Sequence, residues 1–176
     1  MSYYTDIYEE AIDNYGVITS AEAESIGVPK IELVKLARRG RIDRIGYGVY
    51  RVKPYVPTRL DRYADAVALV GEGSYVFGES VLAMHELAFA NPRAIAVATP
   101  KRVRRALPGW IEVHGMRDGD TVSSYEGIPC QALVEALVWC KRSVLEDRLL
   151  DATEEARRQG WLTQAECERV IGVLKG

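Results

Sequence analysis

With 176 residues, 48% of them hydrophobic and 27% charged, the chain has the composition of a globular protein of one or two domains. Its formal net charge of −2 at pH 7 provides no strong overall attraction to nucleic acid or to anionic membranes. No stretch approaches the ~18 apolar residues of a membrane-spanning helix, and no basic segment followed by an apolar run opens the chain, so we expect neither a membrane span nor export.

Two helices are expected before residue 28. Apolar and tyrosine side chains recur at helical spacing over residues 4–15 and predict a first helix that stops at Gly16. Thr19 and Glu22 then have the spacing of a capping box, in which each side chain binds the other residue's backbone N–H. They predict a second, short helix that ends at Gly27.

A third helix follows after a tight turn. Pro29 suits the first turn of a helix, where its missing N–H costs nothing, and Gly40 suits a helix end. The helix should therefore occupy residues 30–39. Two helices joined by a short glycine-containing turn form a helix-turn-helix.

The next segment has the two-residue period of a β-hairpin. Residues 41–45 alternate polar and apolar side chains, the Gly-Tyr-Gly sequence at 46–48 supplies a turn, and residues 49–52 resume the alternation. A hairpin in this place is a wing. The two prolines of residues 53–58 then make a stiff connector.

The predicted fold class is mixed α+β. We expect a winged helix-turn-helix DNA-binding domain over residues 1–57, followed over residues 58–176 by a larger α/β domain with a small sheet and a helical C-terminal tail. In this second domain the apolar pattern predicts helices at 60–70 and 80–88 and strands at 94–98, 110–114 and around Tyr125. The tail, from Gln131 to Leu174, should be helical with a break at Gly160 and a new cap at Thr163.

The third helix has an apolar and a basic side. At ~100° per residue, the side that should pack consists of Leu33, Val34, Leu36 and Ala37. The opposite side consists of Ile31, Glu32, Lys35, Arg38 and Arg39. The second helix of a helix-turn-helix lies in the major groove, where lysine and arginine reach guanine or flanking phosphates. Ile31 could contact a thymine methyl group, or it could pack against the second helix.

Basic charge is concentrated around this helix and the wing. Residues 27–58 contain eight basic side chains and two acidic ones, which is either a phosphate-binding footprint or a solvated charged segment. Arg44 precedes a turn whose tip is Tyr47, and arginines in such wings meet phosphate or a narrow minor groove. The predicted DNA-binding residues are Lys30, Ile31, Lys35, Arg38, Arg39, Arg41, Arg44 and Tyr47.

A second basic run lies in the second domain, after the predicted strand at 94–98. It supplies four positive charges within five residues: Lys101, Arg102, Arg104 and Arg105. The run is either a second phosphate-contacting patch or a solvated loop.

Enzyme chemistry finds little support. The two histidines, His85 and His114, have no metal-ligand spacing, and there is no G-x-S-x-G nucleophile motif. The three cysteines form no C-x-x-C pair and lie among apolar residues, which favours buried free thiols in a reducing cytoplasm. We therefore expect a cytoplasmic protein with no catalytic residue, no metal and no cofactor.

Several segments together resemble a known family. Residues 16–23, Gly27-Val28, residues 33–40 and residues 44–51 look like the N-terminal winged helix of AbiEi-type antitoxins. In the second domain, residues 80–87, Thr99-Pro100 and residues 125–129 resemble landmarks of the same family.

The resemblance implies a function and partners. AbiEi-type antitoxins are transcriptional regulators of type IV abortive-infection toxin-antitoxin systems that bind inverted repeats in their own promoter. They counter a nucleotidyltransferase-like toxin without forming a stable complex with it. The resemblance thus implies double-stranded DNA as the partner, a homodimer on DNA and autorepression.

Two alternatives remain open at this point. The winged helix could dock a protein partner instead of an operator, with its basic face matching an acidic surface. The second domain could be a ligand sensor or an enzyme, which would require a pocket lined with convergent polar groups.

Overall fold

A computed structural model describes residues 2–176 of the chain. In its first part, helices alternate with the strands of a small antiparallel sheet. The first elements are α1 (Tyr3–Ile12), β1 (Val17–Thr19), α2 (Ser20–Ser25), α3 (Lys30–Arg38), β2 (Ile42–Gly46) and β3 (Val49–Val52). This order, with α2 and α3 as the helix pair and β2–β3 as the hairpin, is the predicted winged helix-turn-helix.

Local signals in the sequence explain where these helices begin. In α2, the Thr19 hydroxyl accepts the Glu22 backbone N–H at 3.1 Å, and the Glu22 carboxylate accepts the Thr19 backbone N–H at 2.7 Å. The predicted capping box is therefore present. Pro29 stands at the N-cap of α3, one position before the first helical turn, and makes no side-chain capping bond.

The core of this region lies between the helices and the sheet. The strand order is β1-β3-β2, with β3 antiparallel to both neighbours. One side of the sheet and the inner faces of the helices bury a single apolar cluster, whose fully buried members include Ile7, Ile18, Leu33, Ile42 and Val52. Burial of each such side chain contributes about 1.5–3 kcal/mol.

The helix α4 (Asp61–Val70) belongs to the first of two compact units, Met1–Gly71 and Glu72–Gly176. A Cβ at Gly46 would collide with the Leu69 side chain of α4, so hairpin and helix are in close contact. The predicted boundary after residue 57 therefore falls inside the first unit. The difference arises because the two-proline connector leads into a helix that packs back on the sheet.

The second unit contains a five-stranded mixed sheet of order β6-β5-β4-β8-β7. Pairing is parallel for β5–β6 and β4–β8 and antiparallel for β4–β5 and β7–β8. Its strands are β4 (Tyr75–Val76), β5 (Ile95–Thr99), β6 (Ile111–Gly115), β7 (Val122–Tyr125) and β8 (Ile128–Gln131). Its helices are α5 (Glu79–Met84), α6 (Leu133–Trp139), a 3₁₀ turn (Cys140–Arg142), α7 (Glu146–Arg158) and α8 (Gln164–Lys175).

The mixed α+β class is confirmed, and most predicted elements of the second unit are present, but three details differ. The helix expected over 80–88 ends at Met84, because Glu86, Ala88 and Phe89 have positive φ. Strands β4 and β8 were not predicted. Gln131, expected to begin a helix, ends β8 instead.

The predicted burial of the cysteines is confirmed, since Cys130, Cys140 and Cys167 are all buried. Burial raises the pKa of the Cys130 thiol to about 11 and that of Cys140 to about 12. Within residues 2–176, no helix has both the length and the apolar character needed to cross a membrane.

Candidate nucleic-acid interface

The outward side of α3 is the surface that the sequence predicted. Leu33 is fully buried, and Leu36 and Ala37 pack against the same core. Lys35 and Arg38 are exposed on the other side. Ile31 is 53% exposed, so the alternative in which it packs against α2 is wrong. Its place in the first turn, on the polar side of the helix, leaves it facing solvent.

The lysines of this region are each paired with a carboxylate. Lys30 lies 3.2 Å from Glu24, Lys35 lies 2.7 Å from Glu32, and Lys53 lies 2.7 Å from Asp43. These are exposed ion pairs, typically worth about 0–1 kcal/mol. DNA phosphate can therefore compete for the lysines at small cost, but their charge is partly neutralised in the free protein.

The predicted arginines are held differently. Within the described chain, no carboxylate pairs with Arg38, Arg39, Arg41 or Arg44. The Arg41 guanidinium lies over the Tyr4 ring, 4.5 Å from its centre. The Arg44 Nε–H donates to the Gly46 carbonyl at 3.2 Å. The unneutralised positive charge of the α3 and hairpin face is thus carried by arginines.

The hairpin presents Tyr47 to solvent at its tip and is fixed by the two glycines that flank this residue. Tyr47, at the turn, is 76% exposed. Gly48 has φ +65° and faces the Ser20 side chain, which suits glycine at this tight turn. Because Gly46 abuts Leu69, the hairpin cannot swing freely from α4. Arg44 and Tyr47 are therefore presented together on a short, rigid wing.

One basic residue of the segment 27–58 points away from this surface. Arg51 forms a partly buried ion pair with Asp65 of α4. Burial raises the pKa of the Asp65 carboxyl, and the hydrogen bond from Arg51 opposes that rise. Arg51 thus ties β3 to α4. Charge counting along the sequence could not separate this inward arginine from the outward ones.

Tyr4 is a residue of the surface that the sequence did not indicate. Its ring supports Arg41, and its hydroxyl donates to the Lys53 carbonyl. Its regular spacing with Tyr8 in α1 suggested packing alone. The contact with Arg41 depends on the tertiary arrangement of α1 beside the end of α3.

The second basic run lies in the loop between β5 and β6 of the second unit. Lys101, Arg102, Arg104 and Arg105 are all exposed. Lys101 pairs with Glu72 at 2.9 Å, and this hydrogen bond lowers the pKa of the Glu72 carboxyl. Both the phosphate-contacting and the solvated-loop hypotheses are compatible with this exposure.

A pocket of about 210 Å³ in the second unit bears on the ligand-sensor hypothesis. Its lining includes His85, Tyr125 and Trp161, whose rings contact one another with centres 3.9–5.6 Å apart, Trp161 meeting the other two edge-on. The Glu166 carboxylate at its wall caps α8, and hydrogen bonds from Thr163 lower its pKa. These contacts give the lining residues roles in packing and capping.

Histidine, cysteine and carboxylate side chains do not gather into a metal-binding group of three anywhere in residues 2–176. The His85 ring is buried, with Nδ1 2.8 Å from the Val81 carbonyl oxygen. His114 lies at a 3.1 Å ion-pair distance from Glu112.

Among known proteins, the chain is similar to a solved structure over most of its length and to a family model over its N-terminal region. The crystal structure of the RV2827C protein from Mycobacterium tuberculosis is similar, with a TM-score of 0.47 and 13% identity over 98% of this chain and 72% of that one. No curated protein matches the chain. Residues 6–53 match the model of the family described as "Transcriptional regulator, AbiEi antitoxin", so the chain carries an N-terminal domain of that family.

Proposed function

We propose that the protein is a sequence-specific DNA-binding autorepressor that acts as the antitoxin of a type IV toxin-antitoxin system. The observation that carries the proposal is the outward face of α3 with the adjacent hairpin. There, four arginines without carboxylate partners in the described chain stand beside the exposed Ile31 and Tyr47. The N-terminal family match supports the same assignment.

The residues of this face suit different parts of a duplex. With α3 in the major groove, Arg38 can donate two parallel hydrogen bonds to guanine O6 and N7, and Ile31 can contact a thymine methyl group. Lys35 becomes a second candidate base contact once Glu32 releases it. Arg44 and Tyr47 on the wing then meet phosphate or the minor groove.

Other basic side chains serve affinity rather than sequence reading. Lys30, Arg39 and Arg41 flank α3 and are assigned to backbone phosphates, which position a protein on DNA without reading sequence. Two copies of the chain would occupy the two halves of an inverted repeat, as a homodimer on DNA. The exposed run 101–105 is a candidate for further phosphate contacts.

The antitoxin role involves a toxin that the protein counters without contacting it. We place this activity in the cytoplasm, where a promoter is accessible, and assign no catalytic step, metal or cofactor to it. The second unit, Glu72–Gly176, is the part assigned to toxin neutralisation. We expect a gene for a nucleotidyltransferase-like toxin beside this one. Expression of that toxin should inhibit growth, and co-expression of this chain should relieve the inhibition.

The DNA-binding part of the proposal is tested with a labelled duplex from the region upstream of the gene. Intact protein should protect a defined site in footprinting, and Arg38→Ala should abolish that protection at the same protein concentration. Arg169→Ala, which removes an exposed arginine from α8, is the matched control and should bind normally. Failure of the intact protein to bind this duplex would favour docking of a protein partner instead.

A further inference from the structure

Two exposed arginines of the second unit converge on one tryptophan. Arg117, which follows β6, has its Cζ 4.1 Å from the centre of the Trp139 ring. Arg142, at the end of the 3₁₀ turn, has its Cζ 4.0 Å from the same ring. The two side chains come from separate segments of the chain, so the fold brings them together.

The tryptophan that holds them is itself fixed. The Trp139 ring lies 5.2 Å from that of Phe77, centre to centre, and Phe77 is buried. On another side, Gly78 approaches so closely that a Cβ there would lie 3.2 Å from Trp139 Cδ1. The indole is therefore a rigid platform, and the guanidinium groups on it lose less freedom on binding a ligand than free surface arginines would.

This arrangement places two like charges close together. Because both Cζ atoms lie about 4 Å from one ring centre, they are at most about 8 Å apart, roughly one Debye length at physiological ionic strength. Neither arginine has an ion-pair partner in the described part of the chain. Repulsion between them is thus only partly screened.

The carboxylates of Asp120 and Glu112 are bonded to groups other than the two guanidiniums. Asp120 accepts hydrogen bonds from the Tyr75 hydroxyl at 2.8 Å and from the Gln131 amide at 3.4 Å. It also accepts the backbone N–H of Arg117 at 3.4 Å, so it contacts the main chain rather than the guanidinium. Glu112 pairs with His114. Lys141, on the same 3₁₀ turn as Arg142, donates to the Val173 carbonyl at 2.9 Å and adds another positive charge.

We infer that Arg117 and Arg142, held on Trp139, form a phosphate-binding site in the second unit that takes the backbone of nucleic acid. Guanidinium groups match phosphate oxygens with paired hydrogen bonds, and two of them within about 8 Å can each hold one phosphate of the same strand. Both arginines are exposed. An open position favours a polyanion, whose binding is driven by counterion release, over a small ligand, which needs enclosure. The inference does not depend on the winged helix reading an operator.

The test uses the full chain carrying Arg39→Ala, Arg41→Ala and Arg44→Ala, which removes the arginines of the N-terminal face that are assigned to phosphate contacts. Binding of a fluorescent 20-nucleotide single strand is followed by anisotropy at several salt concentrations. Adding Arg117→Gln with Arg142→Gln should weaken binding about tenfold and reduce the slope of log K against log salt by roughly 0.7 for each phosphate that the variant no longer binds. The control adds Arg169→Gln, which removes one exposed positive charge from α8. This control should have little effect on binding.

Two further experiments test whether the planar guanidinium groups are needed, beyond their charge, and whether the site binds a small phosphate ligand instead of a strand. Arg117→Lys with Arg142→Lys keeps the charges but loses the planar fork, so binding should weaken while the salt slope is largely kept. Thymidine monophosphate, titrated while the Trp139 indole resonance is followed by NMR, should bind only at millimolar concentration. A double glutamine variant that binds the strand like Arg169→Gln would overturn the proposal, as would micromolar saturation by the monophosphate.

Discussion

At the scale of single residues, the lysines and the arginines of the basic face of the first unit differ in their partners. Glu24, Glu32 and Asp43 each hold a lysine in an exposed ion pair. On the same face, Arg41 is held by an aromatic ring and Arg44 by a carbonyl, contacts that leave their charge intact. We therefore expect arginine substitutions to cost more DNA affinity than lysine substitutions.

Replacing Glu32 tests this division directly. Glu32→Gln removes a negative charge from the proposed DNA-binding face and releases Lys35, so affinity for DNA should rise about two- to fivefold, the equivalent of a surface ion pair. Glu10→Gln, on exposed α1, is the control for a general change of charge. The DNA affinities of both variants are measured by anisotropy titration at one salt concentration. An equal rise in affinity for Glu32→Gln and Glu10→Gln would contradict a specific role of the Glu32–Lys35 pair.

Tyr4 is expected to position Arg41. Tyr4→Leu removes the ring beneath the guanidinium and should weaken DNA binding about two- to fivefold, since an exposed cation–π contact is worth about 0.5–1 kcal/mol. Tyr4→Phe keeps the ring but loses the hydroxyl bond to Lys53, so it should bind DNA normally with some loss of thermal stability. Equal binding by the leucine and phenylalanine variants would show that the ring has no part in DNA binding.

At the scale of elements, the two capping boxes offer a matched pair. Thr19 and Thr163 each cap a helix with a glutamate three residues later, in α2 and α8 respectively. Replacing either by alanine should lower the free energy of unfolding by about 0.5–2 kcal/mol in urea titrations. Only Thr19→Ala should also weaken DNA binding, because α2 supports α3. An equal loss of DNA binding in both variants would contradict that division.

The elements that sequence reasoning predicted well are those with local signals. Both capping boxes, the wing turn and the amphipathic α3 are specified within a few residues. Strand β4 covers only Tyr75–Val76, which is too short to show the alternation of polar and apolar residues that predicts a strand. It forms because β5 and β8 pair with it. Gln131 is buried, and its side chain accepts the Gly78 N–H at 3.1 Å. Gln131 therefore ends strand β8, paired with Val122, instead of beginning the helix that the sequence predicted.

The candidate site was predictable in composition but not in its electrostatics. The wheel of α3 separated packing from exposed residues, including the outward Arg38. Which cations keep their charge depends on tertiary neighbours, such as Tyr4 beneath Arg41 and Asp65 beside Arg51. Those neighbours are distant in sequence, so no local pattern could reveal them.

At the scale of the whole molecule, the proposed homodimer on DNA makes a geometric prediction. Two winged helices related by a two-fold axis should protect half-sites whose centres are separated by about 10.5 bp or a multiple of it. Hydroxyl-radical footprinting of the upstream region measures this spacing. Protection of a single asymmetric half-site would contradict a symmetric pair.

The central claim is that α3 reads bases while the wing contacts phosphate or the minor groove. Its most direct test is a titration of Arg38→Ala and Arg44→Ala against operator and scrambled duplexes at several salt concentrations. Arg38→Ala should lose roughly 1–3 kcal/mol on the operator preferentially. Arg44→Ala should weaken both duplexes by similar factors and reduce the salt slope by about one unit. If both variants kept the affinities and salt slope of the intact protein, the basic face would be a solvated surface and the DNA-binding account would be wrong.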